Sequence, residues 1–401
     1  MFHVKKSLVT LFICLLSAGP IWSQSAEQLN EDGMKLLKQG KRNEALAAFN
    51  QALAADSTYV KAYINLGFLN YTTGNLDTAI AFYRKALQIE PNNALAHNNL
   101  ATVFLAQGNY KATIQEYSLA IKNKPEYPQA HNNLAFAYYS LGLFDQAIEE
   151  AKEALKYKSD YALAYNYLGL CYHAKRMYDA AEAQYKKALE IKPNLLVVHN
   201  NLGVTYRAQG QLDKSIESHL KALELDSLNV EAYNNLGLSY LDKGETQKAI
   251  EEFKKALILV PNYSIVHNNL AFAYYEALNY GMAMQHAKAA ERLGLKISPE
   301  FMDDLLKALD NSYLRARHIL VKTQAEAEQI KEELAHGVSF KQLAQEKSID
   351  RQTAEKGGDL GYFKKGDLRA DFEAAIDSLQ IGQVSDIINT DLGFHIFQRL
   401  K

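Results

Sequence analysis

Residues 94–127 read ALAHNNLATVFLAQGNYKATIQEYSLAIKNKPEY, and the next 34 residues, 128–161, read PQAHNNLAFAYYSLGLFDQAIEEAKEALKYKSDY. The two stretches correspond position by position, with apolar and small residues at helical spacing. The same 34-residue pattern continues in both directions without insertion or deletion, as eight units from Ala26 to about Ile297. Self-similarity at a fixed period of this length predicts a solenoid of stacked helical hairpins.

Small residues and aromatic residues recur at fixed positions of the unit. The eighth position is always glycine or alanine: Gly33, Gly67, Ala101, Ala135, Gly169, Gly203, Gly237 and Ala271. The twenty-fourth position is aromatic in five units: Phe49, Tyr83, Tyr117, Tyr185 and Phe253. Small residues let two antiparallel helices approach closely, and the aromatic ring fills the remaining gap. One such hairpin cannot bury its own apolar face, so the units must stack to form a core.

This pattern resembles the tetratricopeptide-repeat family over about two thirds of the chain. The resemblance implies an all-α superhelical solenoid over residues 26–297, with a groove lined mainly by the first helix of each unit. Residues 298–314 keep a helical pattern. We expect them to form a capping and linker helix, because the exposed end of a solenoid needs a cap.

Asparagine occupies the sixth position of most units, interrupted by Tyr167 in the fifth. The members of this ladder are Asn65, Asn99, Asn133, Asn201, Asn235 and Asn269. The resemblance implies that this position faces the groove, where a comparable ladder in another member of the family holds the main chain of a bound polypeptide. A side-chain amide both donates and accepts, which suits an extended main chain of any sequence. The alternative is that these amides satisfy local backbone groups or are inherited by repeat duplication.

Two further features of the repeats concern the groove surface and the packing between helices. Aromatic residues are expected beside the ladder, on the groove side: Phe68, Phe136, Tyr139, Phe272 and Tyr275. Histidines recur at the fourth position: His97, His131, His199 and His267. They occur once per unit and never at the i, i+4 spacing of a helical zinc site, so we predict packing between helices, with no metal and no cofactor.

The 34-residue period stops near Tyr313, where strand-like runs appear for the first time. Four segments come after it: RARHILVK (315–322), GVSFKQLAQEKSID (337–350), GGDLGYFKKG (357–366) and LGFHIFQRLK (392–401). In this order and at these separations they resemble the parvulin family of peptidyl-prolyl cis/trans isomerases. The resemblance implies a small α+β domain over residues 315–401 with an antiparallel four-stranded sheet, and an activity that isomerises X-Pro bonds.

The resemblance also implies a site, whose members are His318, Asp350, Leu368, Phe372, Thr390 and His395. His318 and His395 match the paired histidines of the family, Leu368 stands where methionine is usual, and Phe372 matches an aromatic wall of the proline pocket. The reaction breaks no covalent bond but must lower a rotation barrier of about 18–20 kcal/mol. As an alternative, the two histidines are hydrogen-bonded core residues without a direct catalytic part.

Asp377 departs from the family pattern, which usually has a second aromatic of the pocket at this place. We expect the aspartate to shrink or open the apolar wall, unless the helix turns it to solvent. This departure leaves two functions open. One is an isomerase and protein-folding factor whose repeats bind unfolded or extended polypeptides. The other is a non-catalytic scaffold of an envelope complex with a degenerate isomerase domain.

Residues 1–23 are predicted to be a cleaved signal peptide, with Lys5 and Lys6 before an apolar run that is too short to span a membrane. Ile13 precedes Cys14, which argues against a lipoprotein signal. We therefore expect export, to the periplasm first and the extracellular space as the alternative, and no stable membrane span in the mature chain. The net charge of −2 and pI near 6.6 give no basic surface, which excludes nucleic acid as a partner.

Overall fold

The structure is a computed structural model that describes residues 24–401 of the chain. The predicted signal peptide, residues 1–23, lies outside the described residues. The chain divides into two compact units, one ending at Cys171 and the other running from Tyr172 to Lys401. In the described residues no helix combines the length and the apolar character that crossing a membrane requires.

The first unit consists of helical hairpins in which helices of 13 and 14 residues alternate. The helices are α1 (Ala26–Lys38), α2 (Arg42–Ala55), α3 (Val60–Thr72), α4 (Leu76–Ile89), α5 (Ala94–Ala106), α6 (Tyr110–Asn123), α7 (Pro128–Ser140) and α8 (Phe144–Tyr157). Helix α9 (Ala162–Ala174) crosses the division between the units.

The close approach of paired helices rests on the eighth and twenty-fourth positions of the repeat. A Cβ added to Gly67 would lie 2.6 Å from the ring of Tyr83, and one added to Gly237 would lie 2.6 Å from the ring of Phe253. Both rings are buried. In these two repeats the ring packs directly on the glycine, and a methyl group there would force the ring to shift; in the third repeat Ala101 and Tyr117 pack together at the same two positions.

A left-handed residue at the fifteenth position ends the first helix of each hairpin and starts the turn. It is glycine in six repeats, with φ between +72° and +83°: Gly40, Gly74, Gly108, Gly142, Gly210 and Gly244. Arg176 and Leu278 take the same conformation in the other two repeats, each with φ of 59°. For a residue with a Cβ this conformation costs about 1–2 kcal/mol.

The second unit continues the hairpins. Its helices are α10 (Tyr178–Ile191), α11 (Leu196–Ala208), α12 (Leu212–Leu225), α13 (Val230–Asp242), α14 (Thr246–Leu259), α15 (Ser264–Glu276), α16 (Tyr280–Arg292) and α17 (Pro299–Leu309). Helix α17 buries Phe301, Leu305 and Ala308 in the apolar core of the last two repeats, and Phe301 stacks on Phe272 at 4.0 Å between ring centroids. The last repeat thus has its apolar end covered by α17.

The remainder of the second unit is an α+β domain. Its elements are β1 (Leu314–Val321), α18 (Gln324–Ala335), α19 (Phe340–Lys347), α20 (Arg351–Ala354), β2 (Asp359–Phe363), α21 (Ala370–Asp377), β3 (Ile388–Thr390) and β4 (Gly393–Arg399). The strands form one antiparallel sheet in the order β2-β1-β4-β3. The predicted fold class, a helical repeat array followed by a small domain with a four-stranded antiparallel sheet, is confirmed.

Candidate active site and repeat surface

A pocket of about 360 Å³ opens on one face of the sheet in the α+β domain. Its lining residues are His318, Leu320, Asp350, Leu360, Leu368, Phe372, Leu392, His395 and Phe397. Five of the six residues expected from the sequence thus line one cavity, and Thr390 reaches it through a hydrogen bond to His395. The sequence pattern did not single out Leu320, Leu360, Leu392 or Phe397.

Strand geometry explains why the two histidines face the same side. His318 pairs with Phe397 across β1 and β4, and Leu320 pairs with His395. Side chains two residues apart on a strand share a face, so these four side chains form one patch at the centre of the sheet. The signal for Phe397 was therefore present in the sequence, two residues after a histidine already placed in the site.

A chain of polar contacts connects the two histidines. His318 Nε2 lies 2.8 Å from His395 Nδ1, and His395 Nε2 lies 2.6 Å from the Thr390 hydroxyl. His318 Nδ1 faces an Asp350 carboxylate oxygen at 3.6 Å. A carboxylate only accepts, so the contact with Asp350 favours the tautomer of His318 that carries its hydrogen on Nδ1. In that tautomer His318 Nε2 accepts from His395 Nδ1–H, and His395 Nε2 is left as an acceptor facing the Thr390 hydroxyl.

Both imidazoles are neutral at physiological pH. Burial lowers the pKa of His318 to about 4, His395 adds to this, and the Asp350 carboxylate opposes it. Burial also lowers the pKa of His395, with the Arg369 cation as the next cause. His318 and His395 are only 7% and 1% exposed. Two neutral, buried rings supply polar groups to the pocket floor without adding a charge.

The apolar wall of the pocket comes from α21 and the turn before it. The ring of Phe372 lies 4.7 Å from that of His395 and 4.9 Å from that of Phe397. Leu368 packs in the same cluster, and its N–H donates to Glu373 at 2.9 Å. These contacts hold an aromatic ring and a branched side chain beside the two histidines, which makes one wall of the pocket apolar.

Asp377 does not belong to this wall. It is the last residue of α21 and its side chain is exposed, whereas Ile376 is fully buried in the cluster that contains Phe372. The gap that the aspartate was expected to leave is absent, because Ile376 fills the helix face that turns to the core.

A glycine fixes the backbone beside His318. His318 N–H donates to the Gly358 carbonyl oxygen at 2.7 Å, and a Cβ on Gly358 would lie 2.5 Å from the carbonyl oxygen of His318. Gly358 also has φ of +83°. Any side chain there would push β2 away from β1 at the level of the site.

In the repeats, the asparagine ladder is joined to a second row of asparagines at the fifth position. In four places a sixth-position amide donates to the fifth-position amide oxygen of the preceding repeat: Asn65 to Asn30 at 2.7 Å, Asn133 to Asn98 at 3.3 Å, Asn235 to Asn200 at 3.1 Å and Asn269 to Asn234 at 2.8 Å. Asn99 accepts from Asn98 at 3.1 Å. Asn201, the remaining member, lies at the same half-buried position. The ladder therefore connects neighbouring repeats, a role that neither sequence-based alternative included.

Two of the fourth-position histidines bond the second helix of their own repeat and the loop that ends the preceding repeat. His97 bonds Glu116 at 2.6 Å and the carbonyl oxygen of Pro91 at 2.9 Å, and His131 repeats this arrangement with Glu150. Within residues 24–401, no three histidine, cysteine, aspartate or glutamate side chains are grouped to hold a metal ion. Each of these two histidines ties the first helix to the second helix and to the preceding loop.

One predicted groove residue is covered. Tyr275 is only 6% exposed, because the ring lies against Arg315 and Phe301. In the last repeat the expected aromatic surface is therefore partly occupied by the chain's own α17 and β1. Phe68 in the second repeat remains 43% exposed.

Fold and site together define a helical-repeat protein that ends in an α+β domain with a paired-histidine pocket. A family model described as "TPR repeat" matches residues 33–74, 71–108, 102–142, 205–244 and 237–277, and models described as "Tetratricopeptide repeat" match residues 132–195 and 184–217. A model described as "PPIC-type PPIASE domain" matches residues 316–401. The chain belongs to the tetratricopeptide-repeat proteins and carries a PPIC-type peptidyl-prolyl isomerase domain at its C-terminus.

Curated relatives match the C-terminal domain. Foldase protein PrsA 2 of Bacillus anthracis is 46% identical over 85 residues, which are 21% of this chain and 30% of the relative. Foldase protein PrsA of Oceanobacillus iheyensis is 35% identical over 119 residues, 30% of this chain and 39% of the relative. The chain thus spans about a third of the length of the relatives it matches.

Solved structures match the repeats. A tetratricopeptide repeat protein from Parabacteroides merdae ATCC 43184 aligns with 62% of this chain and 99% of its own, with a TM-score of 0.52 and 19% identity. The APC/C hetero-tetramer Cut9-Hcn1 aligns with 71% of this chain and 56% of its own, with a TM-score of 0.55 and 20% identity. At these identities the likeness concerns the fold alone.

Proposed function

We propose that this protein is an exported peptidyl-prolyl cis/trans isomerase of the parvulin type and a protein-folding factor, whose repeats bind client polypeptide. The observation that carries the proposal is the pocket in which Leu368 and Phe372 face the hydrogen-bonded pair His318 and His395. The lining offers apolar side chains for a prolyl ring and polar groups for the rotating amide.

The pocket favours the twisted amide over the planar one. A planar X-Pro amide is stabilised by charge separation between oxygen and nitrogen, and this separation falls as the bond twists. Burying the amide among Leu360, Phe372 and Phe397 removes water that stabilises the planar form, so the barrier falls. The neutral groups of His318, His395 and Thr390 hold the floor through hydrogen bonds, and Asp350 is the one carboxylate among the lining residues. The reaction needs neither a nucleophile nor a cofactor.

The repeats supply a surface for extended polypeptide. The second, sixth and ninth positions share one face of the first helix. In several repeats this face combines an exposed apolar side chain with the ladder amide: Leu95 is 47%, Val197 43% and Ile265 46% exposed. Each amide that donates once to a neighbouring repeat keeps a second N–H and further acceptor capacity for a ligand. Main-chain groups of a client would use this capacity while its side chains contact the apolar residues.

Isomerisation of an X-Pro peptide by the full chain tests the catalytic part. We expect a rate above the uncatalysed one, and a fall of at least about tenfold in kcat/KM for Phe372→Ala, since the aromatic wall is lost. Asp377→Phe is the matched control on the same helix, and its kcat/KM should stay at the wild-type value because this side chain lies outside the pocket. A wild-type chain that gives no rate increase would contradict the proposal and favour the scaffold.

Binding of an unfolded, proline-free polypeptide tests the repeats separately from catalysis. Replacing Leu95, Val197 and Ile265 by serine should weaken binding, whereas serine at three exposed residues of the second helices should not. Suitable controls are Leu46, Leu220 and Ile258. Equal binding by both triple variants would rule out this face as the client site.

Export is tested by expressing the full precursor with its own N-terminus in a Gram-negative host. The mature protein should begin at Gln24 and appear in the periplasmic fraction. Recovery of a protein that still begins at Met1 would contradict cleavage after Ser23.

A further inference from the structure

The side chain of Arg315 joins the last repeat to the isomerase sheet. Its guanidinium carbon lies 5.0 Å from the ring centroid of Tyr275 on α15 and 5.1 Å from that of Tyr362 on β2. Arg315 Nε donates to Asp359 at 3.1 Å, Nη2 pairs with the same carboxylate, and Nη1 donates to the Tyr275 hydroxyl. The side chains of Arg315 and Asp359 are 13% and 18% exposed. This mostly buried cation is therefore held by an ion pair with Asp359 and by contacts with two tyrosine rings.

Further contacts support the same junction. The hydroxyl groups of Tyr275 and Tyr362 are 2.9 Å apart, and the Tyr280 hydroxyl donates to the carbonyl oxygen of Leu400 at 3.3 Å. The Lys401 ammonium donates to the carbonyl oxygen of Lys307 at 2.7 Å. The last repeat and the helix after it thus contact β1, β2 and the C-terminus through polar as well as aromatic groups.

Asp359 carries this junction to the pocket. Besides Arg315, its Oδ1 accepts from Gly361 N–H at 2.9 Å. The register between β1 and β2 shifts between Arg315 and Arg317, and Arg317 pairs with Asp359 across the two strands. Such an irregularity re-aims neighbouring side chains. On either side of Asp359 stand Gly358, whose carbonyl oxygen accepts from His318 N–H, and Leu360, which lines the pocket.

We propose that Arg315 is a positioning residue for the isomerase, and that the last repeat helps to hold the isomerase pocket in its active geometry by placing Tyr275 against Arg315. The inference rests on the proposed function. The guanidinium holds the carboxylate of Asp359 in place, and Asp359 in turn holds the irregular segment of β2. That segment determines where Leu360 lies in the pocket wall and where the backbone of His318 lies. Removing the ring from the repeat side loosens this segment although no residue of the isomerase domain has changed.

The test compares full-chain variants at Tyr275 with a matched variant at Tyr71, which holds the same position in the second repeat. Tyr275→Ala should lower kcat/KM about tenfold through misplacement of the wall. Tyr275→Phe keeps the ring over Arg315 and should stay within about twofold of wild type. Tyr71→Ala should leave kcat/KM unchanged. Arg315→Lys keeps the charge but not the flat fork, so its kcat/KM should fall between those of wild type and Tyr275→Ala.

Hydrogen exchange supplies a readout that does not depend on activity. The amide hydrogens of Gly361 and His318 should exchange faster in Tyr275→Ala than in wild type or Tyr71→Ala, because their acceptors belong to the loosened segment. If the wild-type chain has no isomerase activity, the proposed function fails while this exchange difference remains measurable. Wild-type kcat/KM in both Tyr275→Ala and Arg315→Lys, or unchanged exchange at both amides, would overturn the positioning role.

Discussion

Replacing His219 by phenylalanine should stabilise the repeat array, by an amount that grows as the pH falls. His219 takes the twenty-fourth position of the sixth repeat, which is aromatic in five others. The imidazole is fully buried; Nδ1 bonds the amide oxygen of Asn200 at 2.9 Å, and Nε2 has no hydrogen-bond partner. An unsatisfied buried polar atom costs about 1–3 kcal/mol.

The site has room for a phenyl ring. A Cβ on Gly203 would lie 2.6 Å from the ring of His219, the same separation that Gly237 shows from Phe253 in the next repeat. The amide oxygen of Asn200 keeps a donor when the imidazole is removed, because Asn235 also donates to it at 3.1 Å. The gain from removing the unpaired nitrogen therefore exceeds the loss of one hydrogen bond, and we expect a net stabilisation of about 1–2 kcal/mol at pH 7.

Proton linkage gives the pH dependence. Burial lowers the pKa of His219 to about 3, with the Arg207 cation as the second cause. An unfolded histidine has a pKa near 6.5, so below that value the unfolded chain binds a proton that the folded chain excludes. The neutral ring therefore contributes its full stability above pH 6.5 and loses it as the pH falls toward 3. At pH 5 this adds about 2 kcal/mol to the advantage of His219→Phe.

Urea unfolding, monitored by circular dichroism, measures the stabilisation by His219→Phe at pH 7 and its increase at pH 5. The wild type is the reference for all other titrating groups. Phe253→His is the matched reverse change in the seventh repeat and should destabilise the array, more at pH 5 than at pH 7. A His219→Phe variant whose stability relative to wild type is the same at both pH values would refute the reasoning.

Three further predictions concern the site and the ladder. Gly358→Ala should lower kcat/KM by at least about tenfold while the repeats stay folded by circular dichroism, because a Cβ there overlaps the carbonyl oxygen of His318. The kcat/KM of the wild type should be level from pH 6 to 8 and fall toward pH 4, where His318 becomes protonated; a fall centred near pH 6.5 would contradict the low pKa. A double-mutant cycle of Asn234→Ala and Asn269→Ala should give a coupling of about 1 kcal/mol in unfolding experiments, and additive effects would show that this bond contributes nothing.

The 34-residue repeat period predicted the helical array, and the small α+β domain was expected from the resemblance of four C-terminal segments to the parvulin family. A fixed 34-residue period places Gly67 and Tyr83 at facing positions of one helical hairpin. Side chains alternate between the two faces along β4, so His395 and Phe397 lie on the same face. The inter-repeat bonds could not be predicted in the same way. The sequence locates Asn234 and Asn269 in their own helices, but which neighbour each amide faces depends on how the helices stack.

Docking between distant parts of the chain was also beyond the sequence. Position in the repeat indicates that Tyr275 faces the groove, and nothing in the period shows that Arg315 occupies the space beside it. Tyr275 and Tyr71 are equivalent by repeat position, yet Tyr275 lies at the end of the array, where the isomerase domain supplies an arginine. Equivalence within a repeat predicts a side chain's direction, whereas the contacts of a terminal repeat depend on the domain packed against it.

The placement of Asp377 was, by contrast, available from helix geometry. Successive residues of a helix turn by about 100°, so a residue five positions after Phe372 lies about 140° away around the axis, while one four positions after it lies about 40° away. Ile376 is therefore the residue that shares the core-facing side with Phe372, and Asp377 falls on the solvent side. Position in a family pattern suggested a defect in the pocket that the helical period excludes. The kcat/KM of Asp377→Phe consequently discriminates between these two arguments, since only a pocket-lining aspartate would make the substitution raise activity.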